Sequence, residues 1–195
     1  MAKPIGLVLA GGRGRRMGRS KGDLIVEGQG LALRAARVLQ PLCRGVLISL
    51  RPDAPNPAPG FAVVEDPPPE GRGPLAGIHA AFEATAEADL LVLACDYPRV
   101  EMDLLERLLE RAADPADLVV LTDETGRLHP LVGLWRRGMA LAVAQALESG
   151  CYRVGSLLER DGAQRLGPAE FPEIDLGRAL VNLNLRADLD SLDRS

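Results

Sequence analysis

The sequence predicts an α/β fold in which a mostly parallel central sheet is covered by helices on both faces. Three observations support this prediction. Apolar runs recur along the chain, helical patterns lie between them, and polar loops rich in Gly and Pro separate the two. Strands that alternate with helices in this way build βαβ units, and continuous apolar runs are typical of strands buried on both faces of a parallel sheet.

The first half of the chain begins the βαβ series. Residues 5–10 (IGLVLA) form a continuous apolar run of strand length. Residues 31–42 carry apolar side chains at helical spacing, and residues 45–50 form a second strand. The predictions that follow are a short strand at 61–64, a helix at 75–86 and a buried strand at 90–94, with loops at 51–60 and 66–73.

The second half continues the pattern. Residues 102–113 form an amphipathic helix with Asp103 in its first turn, and Asp114-Pro115 ends it. The remaining predictions are strands at 118–121 and 131–135, a helix at 139–147, short strands near 164–171 and 179–184, and a last helix from about 187. No linker or repeat divides the chain, so we expect one Rossmann-like three-layer domain spanning residues 1–195.

Composition narrows the class of protein. The chain has 195 residues, of which 47% are hydrophobic and 26% charged, as in a soluble globular protein. No apolar run approaches the ~20 residues of a membrane span, and no secretory signal precedes the first strand, so a cytoplasmic protein is expected. The net charge of −4 argues against a nucleic-acid partner. Cys43, Cys95 and Cys151 are odd in number and far apart, which favours reduced thiols.

The stretch LAGGRGRRMGRSKG, residues 9–22, follows the first strand and contains five glycines and five basic side chains. It matches neither the P-loop nor the dinucleotide-binding pattern. Successive backbone N–H groups in such a turn nevertheless form an anion-binding nest, for which a triphosphate is the natural ligand. Lys21 is notable because the only other lysine is Lys3. The alternative is a flexible, solvated basic loop.

Several short motifs resemble those of molybdenum cofactor guanylyltransferases and their near relatives among the nucleotidyltransferases. The glycine-rich loop resembles their signature loop through Leu9-Ala10-Gly11-Gly12, Arg16-Met17-Gly18 and Lys21. Further resemblances, in the same order along nearly the whole chain, are Gly73-Pro74-Leu75-Ala76-Gly77, Cys95-Asp96-Tyr97-Pro98, His129-Pro130-Leu131 and Asn182-Leu183-Asn184. Two positions depart from that pattern: Ser49 lies near a position where members often carry asparagine, and Leu185 begins a segment that differs from their usual Thr-Pro-Glu-Asp.

The resemblance implies a nucleotide-binding part at about residues 1–100 and an acceptor-binding part at about 101–195. The implied nucleotide contacts are Leu9, Ala10, Gly11, Gly12, Lys21, Asp66, Leu75, Ala76, Gly77 and Asp96. Lys21, Arg16 and Asp96 are the expected catalytic residues. Asp96 directly follows a buried strand, where ligands bind in such sheets, and is the expected ligand of Mg²⁺, an ion held by one or two carboxylates plus phosphates.

Each implied role has a structural alternative. Asp96 could begin a turn before Pro98 and cap the helix that follows, and Asp66 could serve only the turn at Pro67. The implied acceptor-binding residues are His129, Arg153, Asn182 and Asn184. His129 is expected in a loop between two strands and could be a plain turn residue, and Arg153 could be a solvated helix start. Asn182 and Asn184 are expected on one side of a strand.

The resemblance implies transfer of GMP from GTP to the phosphate of molybdenum-bound molybdopterin, with release of pyrophosphate. The alternatives are a cytidylyltransferase acting on the same pterin, another small-molecule nucleotidyltransferase, and a non-catalytic nucleotide sensor or cofactor carrier. The expected partners are these two substrates, with transient contacts to proteins that insert or receive the cofactor, and neither a nucleic acid nor a membrane.

Overall fold

The computed structural model describes residues 2–11, 25–26, 28–113, 116–158 and 163–183. The strands in these ranges are β1 Ile5–Leu9, β2 Ile25–Val26, β3 Gln29–Gly30, β4 Val46–Leu50, β5 Ala62–Glu65, β6 Leu90–Ala94, β7 Leu118–Thr122, β8 Leu128–Trp135 and β9 Ala163–Leu166. The helices are α1 Leu31–Leu39, α2 Pro74–Ala84, α3 Met102–Arg111, α4 Met139–Glu148, α5 Gly155–Leu158 and α6 Leu176–Ala179.

Seven of the described strands form one sheet in the order β5-β4-β1-β6-β8-β7-β9. Strands β5, β4, β1 and β6 are parallel neighbours, and β9 is parallel to β7. Strand β8 runs antiparallel to β6 and β7, between which it lies. The prediction of a mostly parallel sheet is therefore confirmed.

Helices cover both faces of the sheet and bury two separate apolar cores. Leu7 and Val8 are adjacent in β1, both fully buried, and point into different cores because successive strand residues alternate between faces. The Val8 core contains side chains of α1, α3 and α6, whereas the Leu7 core contains side chains of α2, α4 and α5. This three-layer arrangement confirms the predicted fold class.

The C-terminal part differs from the prediction. Strand β9 covers only the start of the strand expected near 164–171, and residues beyond Leu166 form turns. The strand expected at 179–184 is wrong over its described residues. Helix α6 ends at Ala179, and residues 181–183 have no regular structure. The Asp175 side chain accepts a hydrogen bond from the N–H of Arg178 and caps this short helix, which ends at the residue where the strand was expected to begin.

Within the described ranges, no helix is long and apolar enough to cross a membrane. The hairpin of β2 and β3, with Gly28 at positive φ between its strands, was not predicted.

Candidate functional site

A cavity of about 540 Å³ opens where β1, β4, β5 and β6 end. Its walls come from the ends of these strands, the first turn of α2, the loop between β5 and α2, and one residue of β8. The lining residues are Leu9, Gly11, Ser49, Arg51, Pro52, Asp66, Pro67, Pro69, Glu70, Gly71, Arg72, Gly73, Pro74, Ala76, Ala94, Cys95, Asp96 and Leu131. Parallel strands end at the same edge of a sheet, which is where open α/β sheets bind ligands.

The structure brings five of the expected nucleotide contacts together in this cavity: Leu9, Gly11, Asp66, Ala76 and Asp96. Three further expected contacts lie in the same segments without lining the cavity: Ala10, Leu75 and Gly77, all buried. The predicted residues Gly12, Arg16, Lys21 and Asn184 lie outside the described residues.

Asp66 is held between the ends of three neighbouring strands. The Ser49 hydroxyl at the end of β4 donates a 2.7 Å hydrogen bond to Asp66 Oδ1, and the Asp66 N–H donates to the Leu50 carbonyl at 2.7 Å. A Cβ on Gly11 would lie 2.9 Å from Asp66 Oδ2, so glycine allows this close approach. Burial raises the pKa of the Asp66 carboxyl, while the Ser49 hydrogen bond and the positive charge of Arg51 oppose that rise.

The first turn of α2 forms the opposite wall, and its sequence explains its position. Gly73 precedes the helix with φ +67°, a conformation that favours glycine, and Pro74 starts the helix, where its missing N–H costs nothing. A Cβ on Gly77 would collide with the Ser49 hydroxyl and lie 2.9 Å from Leu9 Cδ2. Gly77 therefore lets α2 pack directly against the strand ends, with its positive N-terminal dipole at the cavity.

Sequence reasoning did not single out the basic side chains of the outer wall. Arg72 Nη2 donates to the Pro67 carbonyl at 3.0 Å and also to the Pro68 carbonyl, which ties the loop back on itself. Arg51 lies two residues beyond Ser49, directly after β4. The position of Arg51 after a buried strand was the signal that could have identified it.

Asp96 lies in a tight turn after β6. The Tyr97 N–H donates to the Ala94 carbonyl at 3.3 Å, and the Leu183 N–H donates to the Asp96 carbonyl at 2.8 Å. Asp66 and Asp96, which follow different strands, thus line one cavity, and Oδ1 of Asp96 is buried. Two carboxylate residues on one cavity are a donor set that suits Mg²⁺, an ion held by one or two carboxylates together with other oxygen ligands, so the residues present fit this ion.

His129 lies within β8, which corrects the prediction that it occupies a loop. The register between β7 and β8 shifts at this point, because Val120 pairs with Gly133 whereas Leu121 pairs with His129. Such a bulge accommodates Pro130, which cannot donate to a strand ladder, and the neighbouring Leu131 lines the cavity.

The His129 side chain is only 2% exposed, so it presents no surface to an acceptor in this structure. Its Nδ1 lies 3.3 Å from the Tyr97 hydroxyl, and its Nε2 lies 3.1 Å from Asp123 Oδ2. The hydroxyl of Thr125 and the backbone N–H groups of Thr125 and Arg127 donate to Asp123 Oδ1. These bonds, with that of His129, hold the pKa of the Asp123 carboxyl well below its usual range.

Arg153 and Asn182 occupy different surroundings from each other. Arg153 is exposed, and its neighbour Tyr152 contacts the cavity wall, since the Tyr152 carbonyl oxygen lies 3.4 Å from where a Cβ on Gly73 would be. Asn182 lies in irregular chain, not on the predicted strand, and its side chain hydrogen-bonds to Tyr97. The Oδ1 of Asn182 is buried and accepts no hydrogen bond from a described residue.

Comparisons with known proteins identify the family of this chain. A molybdenum cofactor guanylyltransferase of Cereibacter sphaeroides is 39% identical over 190 residues, covering 95% of this chain and 93% of that protein. One from Pseudomonas syringae pv. syringae is 34% identical, covering 91% of this chain and 87% of that protein. The crystal structure of molybdopterin-guanine dinucleotide biosynthesis protein A from Archaeoglobus fulgidus shares the fold, with a TM-score of 0.80, 23% identity and 97% coverage of both chains.

The family model of the MobA-like NTP transferase domain matches residues 6–165, which include the cavity and both of its aspartates. With the whole-length relatives at more than 30% identity, this match shows that the chain belongs to the MobA-like NTP transferase family of nucleotidyltransferases.

Proposed function

We propose that this protein transfers GMP from GTP to the phosphate of molybdenum-bound molybdopterin, forming molybdopterin guanine dinucleotide and pyrophosphate. The molybdenum cofactor guanylyltransferases of Cereibacter sphaeroides and Pseudomonas syringae, to which the chain is similar, support this choice of substrates. The observation that carries the proposal is the cavity at the strand ends, where Asp66 and Asp96 face a glycine-lined wall. Its volume of about 540 Å³ suits a ligand of nucleotide size.

The nucleotide would lie between β1 and the first turn of α2. We assign backbone contacts to the base and ribose to Leu9, Ala10, Gly11 and Gly12, and to Leu75, Ala76 and Gly77. The Asp66 carboxylate would accept hydrogen bonds from the ribose or base. Lys21 and Arg16 would contact the phosphates, where the loop N–H groups add further donors. A compact ammonium and a planar guanidinium supply different contacts to such oxygens.

In the transfer step, a phosphate oxygen of the acceptor bonds to the α-phosphorus of GTP. The bond from that phosphorus to the bridging oxygen breaks, and pyrophosphate leaves with the electron pair. Lys21, Arg16 and the loop N–H groups stabilise the charge that spreads over the α-phosphate. Asp96 is the residue that would hold Mg²⁺, which offsets phosphate charge when bound. A phosphate is already ionised at neutral pH, so the reaction requires no general base.

The proposed acceptor contacts come from the C-terminal half of the chain. Arg153, Asn182 and Asn184 stay predicted contacts for the pterin phosphate, whereas the burial of His129 favours an indirect role. Transient contacts with proteins that insert or receive the cofactor belong to the same proposal. So does a cytoplasmic location, with which the reduced state of Cys43, Cys95 and Cys151 is compatible. Burial raises the pKa of the Cys43 thiol to about 12, which keeps it protonated.

The experiment that tests the proposal offers one acceptor and several nucleotides. The purified protein is incubated with Mg²⁺, molybdenum-bound molybdopterin and either GTP, CTP or ATP, and both pyrophosphate and the dinucleotide are measured. We expect product with GTP. Preference for CTP would identify a cytidylyltransferase, and nucleotide binding without pyrophosphate release would identify a sensor or carrier. Either result would contradict the proposal.

A further inference from the structure

A chain of hydrogen bonds connects the Asp96 turn to the hairpin of β7 and β8, outside the cavity. It runs from Asn182 through Tyr97 and His129 to Asp123. None of the first three is exposed, and Tyr97 and His129 are 7% and 2% exposed. The rings of Tyr97 and His129 also pack edge to face, with centroids 5.7 Å apart. Buried polar groups are retained at low cost only when each finds its partner.

The donors along this chain point in one direction. Asn182 Oδ1 has no hydrogen-bond partner among the described residues, so the amide nitrogen of Asn182 makes the bond to Tyr97 and donates to its Oη. The hydroxyl proton is then directed to His129 Nδ1, and His129 Nε2–H donates to Asp123 Oδ2. The chain ends on a carboxylate whose other oxygen accepts from Thr125 and Arg127.

The hydrogen bonds to Asn182 and His129 hold the Tyr97 side chain in place. Tyr97 is the residue directly after Asp96. The main chain of the same turn is held at both residues, by the bond from Tyr97 N–H to Ala94 and by the bond from Leu183 N–H to the Asp96 carbonyl. The Tyr97 side chain and the Asp96 main chain are thus both held, and Asp96 lines the cavity at this turn. A carboxylate that binds a metal needs its orientation set by such outer contacts.

We propose that Tyr97, His129 and Asp123 are positioning residues that orient Asp96 for Mg²⁺ bound with the nucleotide. This inference rests on the proposed function for the identity of the ligand, but not for its test. It gives His129 a role that its burial permits, in place of direct contact with the acceptor. It also gives Asn182 a role through Tyr97.

The test compares nucleotide binding with and without the metal. Binding of GTP is measured by calorimetry in Mg²⁺ and again in EDTA, for the wild type, Tyr97→Phe and Thr85→Val. The first variant removes only the hydroxyl at the middle of the chain. The second is a matched control, since the Thr85 hydroxyl donates a 2.7 Å bond to Ala81 at the far end of α2.

We expect Tyr97→Phe to weaken Mg²⁺-dependent binding by about tenfold, the lower end of the range for outer partners of metal ligands. Binding in EDTA should stay within about twofold of the wild type, and Thr85→Val should match the wild type in both conditions. A purely structural role for Tyr97 would weaken both measurements equally. Equal weakening, or unchanged binding in Mg²⁺, would overturn the inference.

A second variant covers the case in which Tyr97→Phe does not fold, as judged by circular dichroism. His129→Gln breaks the same chain one residue further from Asp96, and the same two outcomes decide it. No acceptor is present in these measurements. A protein that fails to transfer GMP but shows the selective loss would contradict the proposed reaction and still support the positioning role.

Discussion

Asp96 combines two properties that metal-assisted nucleotidyl transfer requires of a residue. It lines the cavity, and its main chain is fixed by the bond from Leu183. Asp96→Asn keeps the size of the side chain and removes its charge. We expect turnover, measured as pyrophosphate release at saturating GTP, to fall at least ~10²-fold, the loss typical of removing one electrostatic stabiliser. We expect the same loss for Lys21→Ala.

The matched control for Asp96→Asn is Asp103→Asn. Asp103 is an exposed carboxylate on α3 that pairs with Arg107 at 3.0 Å, and surface pairs of this kind contribute little to stability. Turnover should be unchanged in this variant. Normal turnover in Asp96→Asn would exclude the assigned role, and a similar loss in both variants would point to a general effect of charge.

Ser49 and Asp66 give rise to a prediction about pH. The pKa of Asp66 is raised above 3.8 by burial, and the Ser49 hydroxyl opposes this rise. Ser49→Ala should therefore raise the pKa further. An ionised carboxylate that accepts hydrogen bonds from GTP contributes affinity above its pKa and loses it as the pH falls through that value. We expect the acid-side loss of GTP affinity to begin at a higher pH in Ser49→Ala than in the wild type.

The measurement is the dissociation constant of GTP from pH 3.8 upward, compared between variants so that titration of the nucleotide cancels. Ser149→Ala serves as the control, because the Ser149 hydroxyl donates to Ala146 at the end of α4 instead. Acid-side curves that coincide for Ser49→Ala and the wild type would show that Asp66 does not contact the nucleotide as a carboxylate.

At the scale of elements, the packing of α2 on the strand ends depends on Gly77. A methyl group there would meet the Ser49 hydroxyl and Leu9, both at the cavity. Gly77→Ala should lower the free energy of unfolding by about 1–3 kcal/mol, as overpacking does, and weaken GTP binding because α2 must shift. Urea unfolding and calorimetry measure the two effects.

Gly155→Ala is the matched control for this substitution. A Cβ on Gly155 would have nothing within 4 Å, and alanine is the better helix former. Its stability should equal or slightly exceed that of the wild type. A Gly77→Ala protein as stable as Gly155→Ala would contradict the close packing of α2 on Ser49.

The sequence predicted correctly the elements that are buried, because burial determines which of their residues are apolar. Strands β1, β4 and β6 lie inside the sheet between two layers of helices, so their residues are apolar on both faces and read as continuous runs. Helix α6 was not predicted, because what marks its start is the hydrogen bond from the Arg178 N–H to the Asp175 side chain. Local hydrogen bonds of this kind are weak signals in a sequence.

The sequence also predicted part of the site, namely the two aspartates of the cavity. Asp66 and Asp96 follow strands, so the direction of a parallel sheet was enough to bring them to one edge. The hydrogen bond from Ser49 to Asp66 forms because β4 and β5 are neighbours in the sheet. The sequences of the two strands do not indicate that order. His129 was expected in a loop because Pro130 follows it. The bulge that admits Pro130 to a strand requires the pairing of β8 with β7.

At the scale of the molecule, the expected nucleotide-binding and acceptor-binding parts share both cores. One core joins Val8 of β1 to Leu134 of β8, and the other joins Leu7 of β1 to Val143 of α4. The sheet is also continuous across the two parts, because β6 pairs with β8. A part that unfolded alone would expose apolar surface of the other, so the described chain should behave as one cooperative unit.

This cooperativity can be measured because the sequence has a single tryptophan. Trp135 is fully buried in β8, in the part expected to bind the acceptor. GTP and Mg²⁺ at 100 times the dissociation constant should stabilise the native state by about 2.7 kcal/mol, and raise the melting temperature by about 5–10 °C for a chain of this size. We expect tryptophan fluorescence and far-ultraviolet circular dichroism to report one transition and the same shift.

The control is Asp96→Asn, which should lose most of this shift in melting temperature. A Trp135 transition that stays in place while circular dichroism moves would mean that the two parts unfold independently.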